Sequence, residues 1–218
     1  MTLSPDDVAA RIREHGIIAI VRGDYLPAAL HAAAKAAADG GIRLLEITLN
    51  SPGALAAIGM LRAAFGDRLT VGAGTVRVPE QAEAAAQAGA QFLVAPGFDA
   101  PTVAAARRLG LLHLPGVLTP TEAMAAAAAG CRMLKLFPAD SLGPGYLRAL
   151  RAPLNDLEFV PTGGIGADNL GAFVAAGAVA VGVGSTLLSG PHQPPAEVAA
   201  RARALCAAWE RTRAEAGR

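Results

Sequence analysis

Two lysines stand against seventeen arginines in this 218-residue chain, and one of them, Lys135, lies in the mainly apolar run Cys131–Pro138. A chain that meets its need for positive charge with arginine almost everywhere uses here the cation that can give up its proton. Arginine stays protonated in proteins, whereas burial drives lysine toward the neutral, nucleophilic amine. An amine in an apolar strand can form a Schiff base with a carbonyl substrate. A lysine with a buried stem and a wet ammonium fits the same residues. The segment alone leaves both readings open.

The elements that would hold this amine come from a repeat. Eight short apolar runs alternate with alanine-rich stretches of helical length: Ile17–Val21, Arg43–Leu49, Leu69–Ala73, Gln91–Ala95, Leu111–Leu114, Met133–Phe137, Leu157–Val160 and Val179–Val183. They are apolar on both faces, as strands of a helix-covered parallel sheet must be. Ser51-Pro52 and Thr119-Pro120-Thr121-Glu122 read as helix starts. Eight strand–helix units predict a single-domain α/β fold over residues 1–218, a (β/α)8 TIM barrel, in preference to a doubly wound open sheet.

Four helix-to-strand joints share a phase. Gly41, Gly89, Gly130 and Gly177 read as helix-ending glycines, and five residues beyond each lie Glu46, Val94, Lys135 and Gly182. These belong to the second, fourth, sixth and eighth runs, which in such a barrel share interior layers. Equal offsets in strands of period two point the same way. Glu46 and Lys135 are therefore expected in one inward layer, with Val94 and Gly182 leaving room beside them. Such a pair can form an iminium on a ketone and shuttle protons around it, or stay silent as a charge-compensated ion pair.

Two glycine-rich stretches follow the last two runs: Pro161-Thr162-Gly163-Gly164-Ile165-Gly166 and Gly182-Val183-Gly184-Ser185. Loops at these places commonly bind phosphate through backbone N–H groups. Arg22 ends the first run and could clamp a carboxylate, while Thr75 follows the third and could hydrogen-bond a substrate oxygen.

Composition narrows the classes. Hydrophobic residues make up 53% and charged residues 17% of the chain, with a mean hydropathy of +0.38, as a large core or a subunit interface would produce. No apolar run has the length of a membrane span, the N-terminus Met1–Asp7 lacks a signal-peptide pattern, and a net charge of +1 gives no case for nucleic acid. Cys131 and Cys206 lie far apart and the four histidines are scattered, so neither a disulfide framework nor a metal site is expected. A cytoplasmic protein is the expectation.

Leu45–Leu49, Val71–Val76, Gly89–Phe92, Ala95-Pro96-Gly97, Leu134–Ala139 and Phe159–Ile165, in this order, resemble the 2-keto-3-deoxy-6-phosphogluconate (KDPG) and 4-hydroxy-2-oxoglutarate (KHG) aldolases. The similarity runs from about Gly16 to Leu188. It implies a metal-independent, cofactor-free class I aldolase, usually a homotrimer, that acts on a small phosphorylated keto acid. It assigns the Schiff base to Lys135 and proton transfer to Glu46. It also puts Thr75 and Pro96 in the pyruvate pocket, Phe137 beside the lysine, and Gly163, Gly164, Gly184 and Ser185 around phosphate. The chain departs from the phosphogluconate pattern at Asn50, where such members often carry an arginine, and so Arg22 becomes the carboxylate candidate. The stretches Leu49–Pro52, Ile20–Gly23 and Gly143–Tyr146 look more like the 6-phosphogalactonate (KDPGal) aldolases, whereas Thr162 matches the phosphogluconate type and tips the expectation toward KDPG. A non-catalytic phosphosugar-binding barrel and an isomerase or epimerase are the competing functions.

Overall fold

In the computed structural model, which describes residues 3–216, the apolar runs are strands and the alanine-rich stretches are helices. Met1, Thr2, Gly217 and Arg218 lie outside the described residues, as do the ends of the expected 1–218 domain and of the Met1–Asp7 segment. The order is α1 (Pro5–His15), β1 (Ile17–Val21), α2 (Pro27–Asp39), β2 (Leu44–Thr48), α3 (Ala54–Phe65), β3 (Thr70–Gly74), α4 (Pro79–Gln87), β4 (Phe92–Val94) and α5 (Ala100–Arg108). There follow β5 (Leu112–Leu114), β6 (Gly116–Val117), α6 (Pro120–Ala128), β7 (Met133–Leu136), α7 (Gly143–Arg151), β8 (Glu158–Pro161), α8 (Leu170–Ala175), β9 (Val181–Val183) and α9 (Pro195–Ala216).

All strand pairs are parallel and form a curled sheet in two sections, β5-β4-β3-β2-β1-β9 and β6-β7-β8. An isolated bridge between Thr162, just past β8, and Gly182 of β9 links the second section to the first. At the other end only Pro115 separates β5 from β6. Proline has no N–H to give to a ladder, so β5 ends with the fifth apolar run and pairing resumes beyond Pro115 as β6. The Pro115 carbonyl still accepts from the Lys135 N–H at 2.9 Å, which carries pairing across the break.

Buried side chains sort into an inner and an outer set. Ile18, Leu44, Phe92, Val94, Leu114, Met133 and Val160 meet inside the curl, where Val8, Ala9 and Ile12 of α1 pack against them. The sequence pattern did not anticipate α1. Ser4 caps it in a capping box with Asp7, and it buries its apolar stripe at the end of the sheet where the strands begin. Each fully buried side chain there, Val8 and Ile12, contributes roughly 1.5–3 kcal/mol. The outer set joins the opposite strand faces to the helices.

Gly41, Gly89, Gly130 and Gly177 have φ of 109°, 93°, 89° and 97°, the left-handed conformation expected where a helix turns into a strand. The Thr119–Glu122 capping box is present. The helix start expected at Ser51-Pro52 is not: α3 begins at Ala54 behind a left-handed Gly53. The Ser51 hydroxyl is engaged by the Gly23 N–H and the Thr48 hydroxyl, so it caps nothing.

Candidate active site

Lys135 on β7 and Glu46 on β2 are both buried, 4% and 2% exposed, and each lies in the electrostatic field of the other. Glu46 stands next to Gly72 across the β2–β3 ladder, and its carboxylate rests over Gly74, where a Cβ would overlap it. The room expected at Gly182 is filled, because glycines on this face let neighbouring side chains pack in. At Gly72 the Phe92 ring takes the room a side chain would need, and at Gly182 the Thr162 side chain does so. Replacing Gly74 with alanine is therefore expected to displace Glu46. Turnover should fall roughly 100-fold, as misplaced reacting groups do, with the fold retained; steady-state rates and a thermal melt check this.

Burial pushes the Lys135 amine below the ordinary lysine range, opposed by the Glu46 carboxylate and helped by the Arg22 guanidinium. Burial likewise raises the Glu46 carboxyl, against the pull of Lys135 and Arg22. Among the described residues the two form no ion pair, and Glu46 Oε1 has no hydrogen-bond partner. A buried carboxylate oxygen without a partner is what a proton-transfer group looks like before its substrate arrives. The Lys135 Nζ lies 4.8 Å from the centre of the Phe137 ring, whose face favours a cation, and Phe137 joins Pro138 through a cis peptide.

A cavity of about 280 Å³ opens beside Phe137, the ring neighbour of Lys135, and neither Lys135 nor Glu46 is among its lining residues. Arg22, Phe137 and Thr162 line it together with Gly163, Gly164, Gly184 and Ser185, so seven of the eleven residues singled out in the sequence meet there. The N–H groups of Gly163, Gly164 and Ser185 donate to no protein group among the described residues, leaving them free for an anion. Thr75 and Pro96 do not line this cavity. Thr75 follows Gly74 with φ of 61°, a strained conformation for a β-branched residue and of the kind that gathers at functional sites. The Pro96 carbonyl packs against Gly116, the ladder neighbour of Lys135.

Sequence reasoning missed the residues that hold the loops. Asn169 accepts from the Gly166 N–H and donates to the Gly164 carbonyl, each at 2.8 Å, and the Thr186 hydroxyl donates to the Ile165 carbonyl at 2.5 Å. Asn169 reaches back three residues to the Gly166 N–H, as the third residue of a capping box does, but it lacks the Glu or Gln that marks such a box in a sequence. Elsewhere, His113 is buried with its pKa lowered to about 4 by desolvation, and no group of three or more His, Cys, Asp or Glu among the described residues is placed to hold a metal. No described helix is long and apolar enough to cross a membrane.

A desolvated amine facing a carboxylate, beside a cavity rimmed with free N–H groups, is the equipment of a lyase that works on keto acids bearing an anionic group. The KDPG and KHG aldolase family model matches residues 8–198. The 2-dehydro-3-deoxy-6-phosphogalactonate aldolase of Escherichia coli (strain K12) is 40% identical over 172 residues, 78% of this chain and 83% of that protein. A 2-dehydro-3-deoxy-phosphogluconate aldolase of Pseudomonas aeruginosa is also 40% identical over 172 residues, 78% of this chain and 76% of that protein. The KDPG aldolase of Legionella pneumophila, solved with pyruvate captured as a covalent carbinolamine, superposes with a TM-score of 0.85 at 27% identity, covering 94% of this chain and 99% of that one. The chain belongs to the KDPG and KHG aldolase family and is a carbon–carbon lyase.

Proposed function

We propose that the chain is a class I aldolase that cleaves 2-keto-3-deoxy-6-phosphogluconate to pyruvate and glyceraldehyde 3-phosphate, with 4-hydroxy-2-oxoglutarate as a second substrate. The observation that carries this is the buried Lys135 amine, held below its ordinary pKa next to the partnerless Glu46 carboxylate. Lys135 adds to the C2 ketone, and loss of water from the carbinolamine leaves an iminium. Glu46 takes the proton of the C4 hydroxyl, directly or through a water, as the C3–C4 bond breaks and its electron pair passes into the iminium. The aldehyde leaves, the enamine is protonated at C3, and water returns pyruvate and the free amine.

Arg22 takes the pyruvate carboxylate, Thr75 and Pro96 border the keto acid, and the N–H groups of Gly163, Gly164, Gly184 and Ser185 take the phosphate. We place all of this on one (β/α)8 barrel, with β5 and β6 as the two halves of its fifth strand and the Thr162–Gly182 bridge closing the ring. A cytoplasmic homo-oligomer, the trimer of the family resemblance, suits the two free cysteines and the exposed Leu26, which lines a largely apolar groove of about 570 Å³.

The competing substrate is the galactonate epimer, favoured by Asn50 and by the Escherichia coli relative. The two acids differ in configuration at one hydroxyl-bearing carbon, a difference that one hydrogen-bonding side chain can read. We assign that reading to Thr162, which lines the cavity. Its hydroxyl points along the wall toward the Val160 carbonyl at 3.3 Å and keeps its lone pairs for a substrate hydroxyl. Thr162→Val keeps the shape and removes that group, so kcat/KM for the gluconate epimer should fall about tenfold, the worth of one hydrogen bond, with the galactonate epimer little affected. Pyruvate release from both epimers and from 4-hydroxy-2-oxoglutarate, measured side by side, tests the assignment; preference for the galactonate epimer in the unmodified protein overturns it.

A further inference from the structure

Arg22 is exposed and its side chain has no partner among the described residues, yet the backbone on either side of it is tied down. The β1–β2 ladder ends at the pair Val21–Ile47. Beyond it, two hydroxyls continue the pairing. The Thr48 hydroxyl donates to the Val21 carbonyl at 3.2 Å, and the Gly23 N–H donates to the Ser51 hydroxyl at 3.0 Å. The two hydroxyls lie 3.0 Å apart. Because the Thr48 proton is spent on Val21, Ser51 must donate to Thr48. The proton order is then fixed from Gly23 through Ser51 and Thr48 to Val21, and the loop encloses Arg22. Gly23 has φ of 128°, a conformation open to glycine that turns its N–H toward Ser51.

We propose that Thr48 and Ser51 are positioning residues for Arg22: strand β2, which carries Glu46, also sets through these hydroxyls where the guanidinium enters the cavity. Thr48 is fully buried and touches no substrate-facing surface, so its hydroxyl acts through Arg22. The clamp also fixes the distance of a positive charge from the reacting pair. Arg22, just past β1, and Glu46 on β2 are the charged groups whose fields reach Lys135, and they act in opposite senses. Arg22 lowers the Lys135 pKa, so an Arg22 that swings away lets it rise. Formation of the Schiff base needs the free amine, and its acid limb then moves to higher pH. General loosening of the fold would lower the melting temperature without moving that limb.

The proposal rests on the reading of Arg22 as the carboxylate group, and the experiment separates the two. Inactivation by borohydride is followed as a function of pyruvate concentration and pH in the full chain. Ser51→Ala should raise the half-saturating pyruvate concentration roughly five- to tenfold, the worth of a hydrogen bond that orients a charged group, and shift the acid limb upward. Ser51→Thr, which keeps the hydroxyl, should restore both, and Thr48→Val should reproduce the Ser51→Ala defect. On an Arg22→Ala background Ser51→Ala should add nothing. Unchanged pyruvate saturation in Ser51→Ala, or a penalty that adds in full to that of Arg22→Ala, overturns the positioning role. If Arg22→Ala itself saturates normally while pyruvate still traps on Lys135, the carboxylate role and the clamp fall together and the aldolase reading stands.

Discussion

Replacing Lys135 with arginine is expected to abolish aldol cleavage, by on the order of 10⁴-fold or more, as removal of a covalent nucleophile does. Arginine preserves charge and approximate length at a site only 4% exposed, so a purely structural ammonium would be replaced with little loss. What arginine cannot supply is a neutral amine, because its guanidinium stays protonated at any pH the fold tolerates. The structure turns that chemical distinction into a test, since burial and Arg22 both push the lysine toward the neutral form. A circular-dichroism melt distinguishes lost chemistry from lost fold. Turnover in the variant within tenfold of the unmodified protein would move the nucleophile elsewhere.

Glu46→Gln is expected to separate covalent capture from turnover. The carboxylate raises the Lys135 pKa, so its removal lowers that pKa further and enlarges the share of free amine at a given pH. The acid limb of pyruvate capture should therefore move to lower pH. Turnover should fall about 10²–10⁴-fold, the contribution of a positioned acid–base group. Were Glu46 only a counter-charge that keeps Lys135 protonated, the same substitution would speed the reaction. Capture at acid pH and kcat, measured on one preparation, tell the two apart.

Much of this site could be read before the fold was known, because its parts follow from period and offset. The glycines at 41 and 130 start their strands in the same phase, and that places Glu46 and Lys135 on the inner face. The glycine loops after β8 and β9 meet at one cavity because consecutive parallel strands end on the same side of the sheet. What escaped the sequence depends on contacts that have no period. The break at Pro115 left β6 unseen, since two residues beyond a proline carry no strand pattern. α1 lacks a partner in the repeat and finds one inside the sheet. Ser51-Pro52 has the form of a helix start, but a tertiary bond to Gly23 takes the hydroxyl that would have capped it. Thr48 is legible only as a β-branched strand residue, and its use as a hydroxyl appears when β1 is laid beside β2.

The measurement that bears most directly on the whole account is reductive trapping. Incubation of the full chain with pyruvate and borohydride, followed by peptide mass spectrometry, should find one pyruvate-derived secondary amine per chain, on Lys135. Activity should be lost in step with its formation, and Lys35, on the outside of α2, should remain unmodified. An adduct at Lys35, or an unmodified chain under conditions that trap a known class I aldolase, would contradict the central claim that Lys135 is the Schiff-base nucleophile.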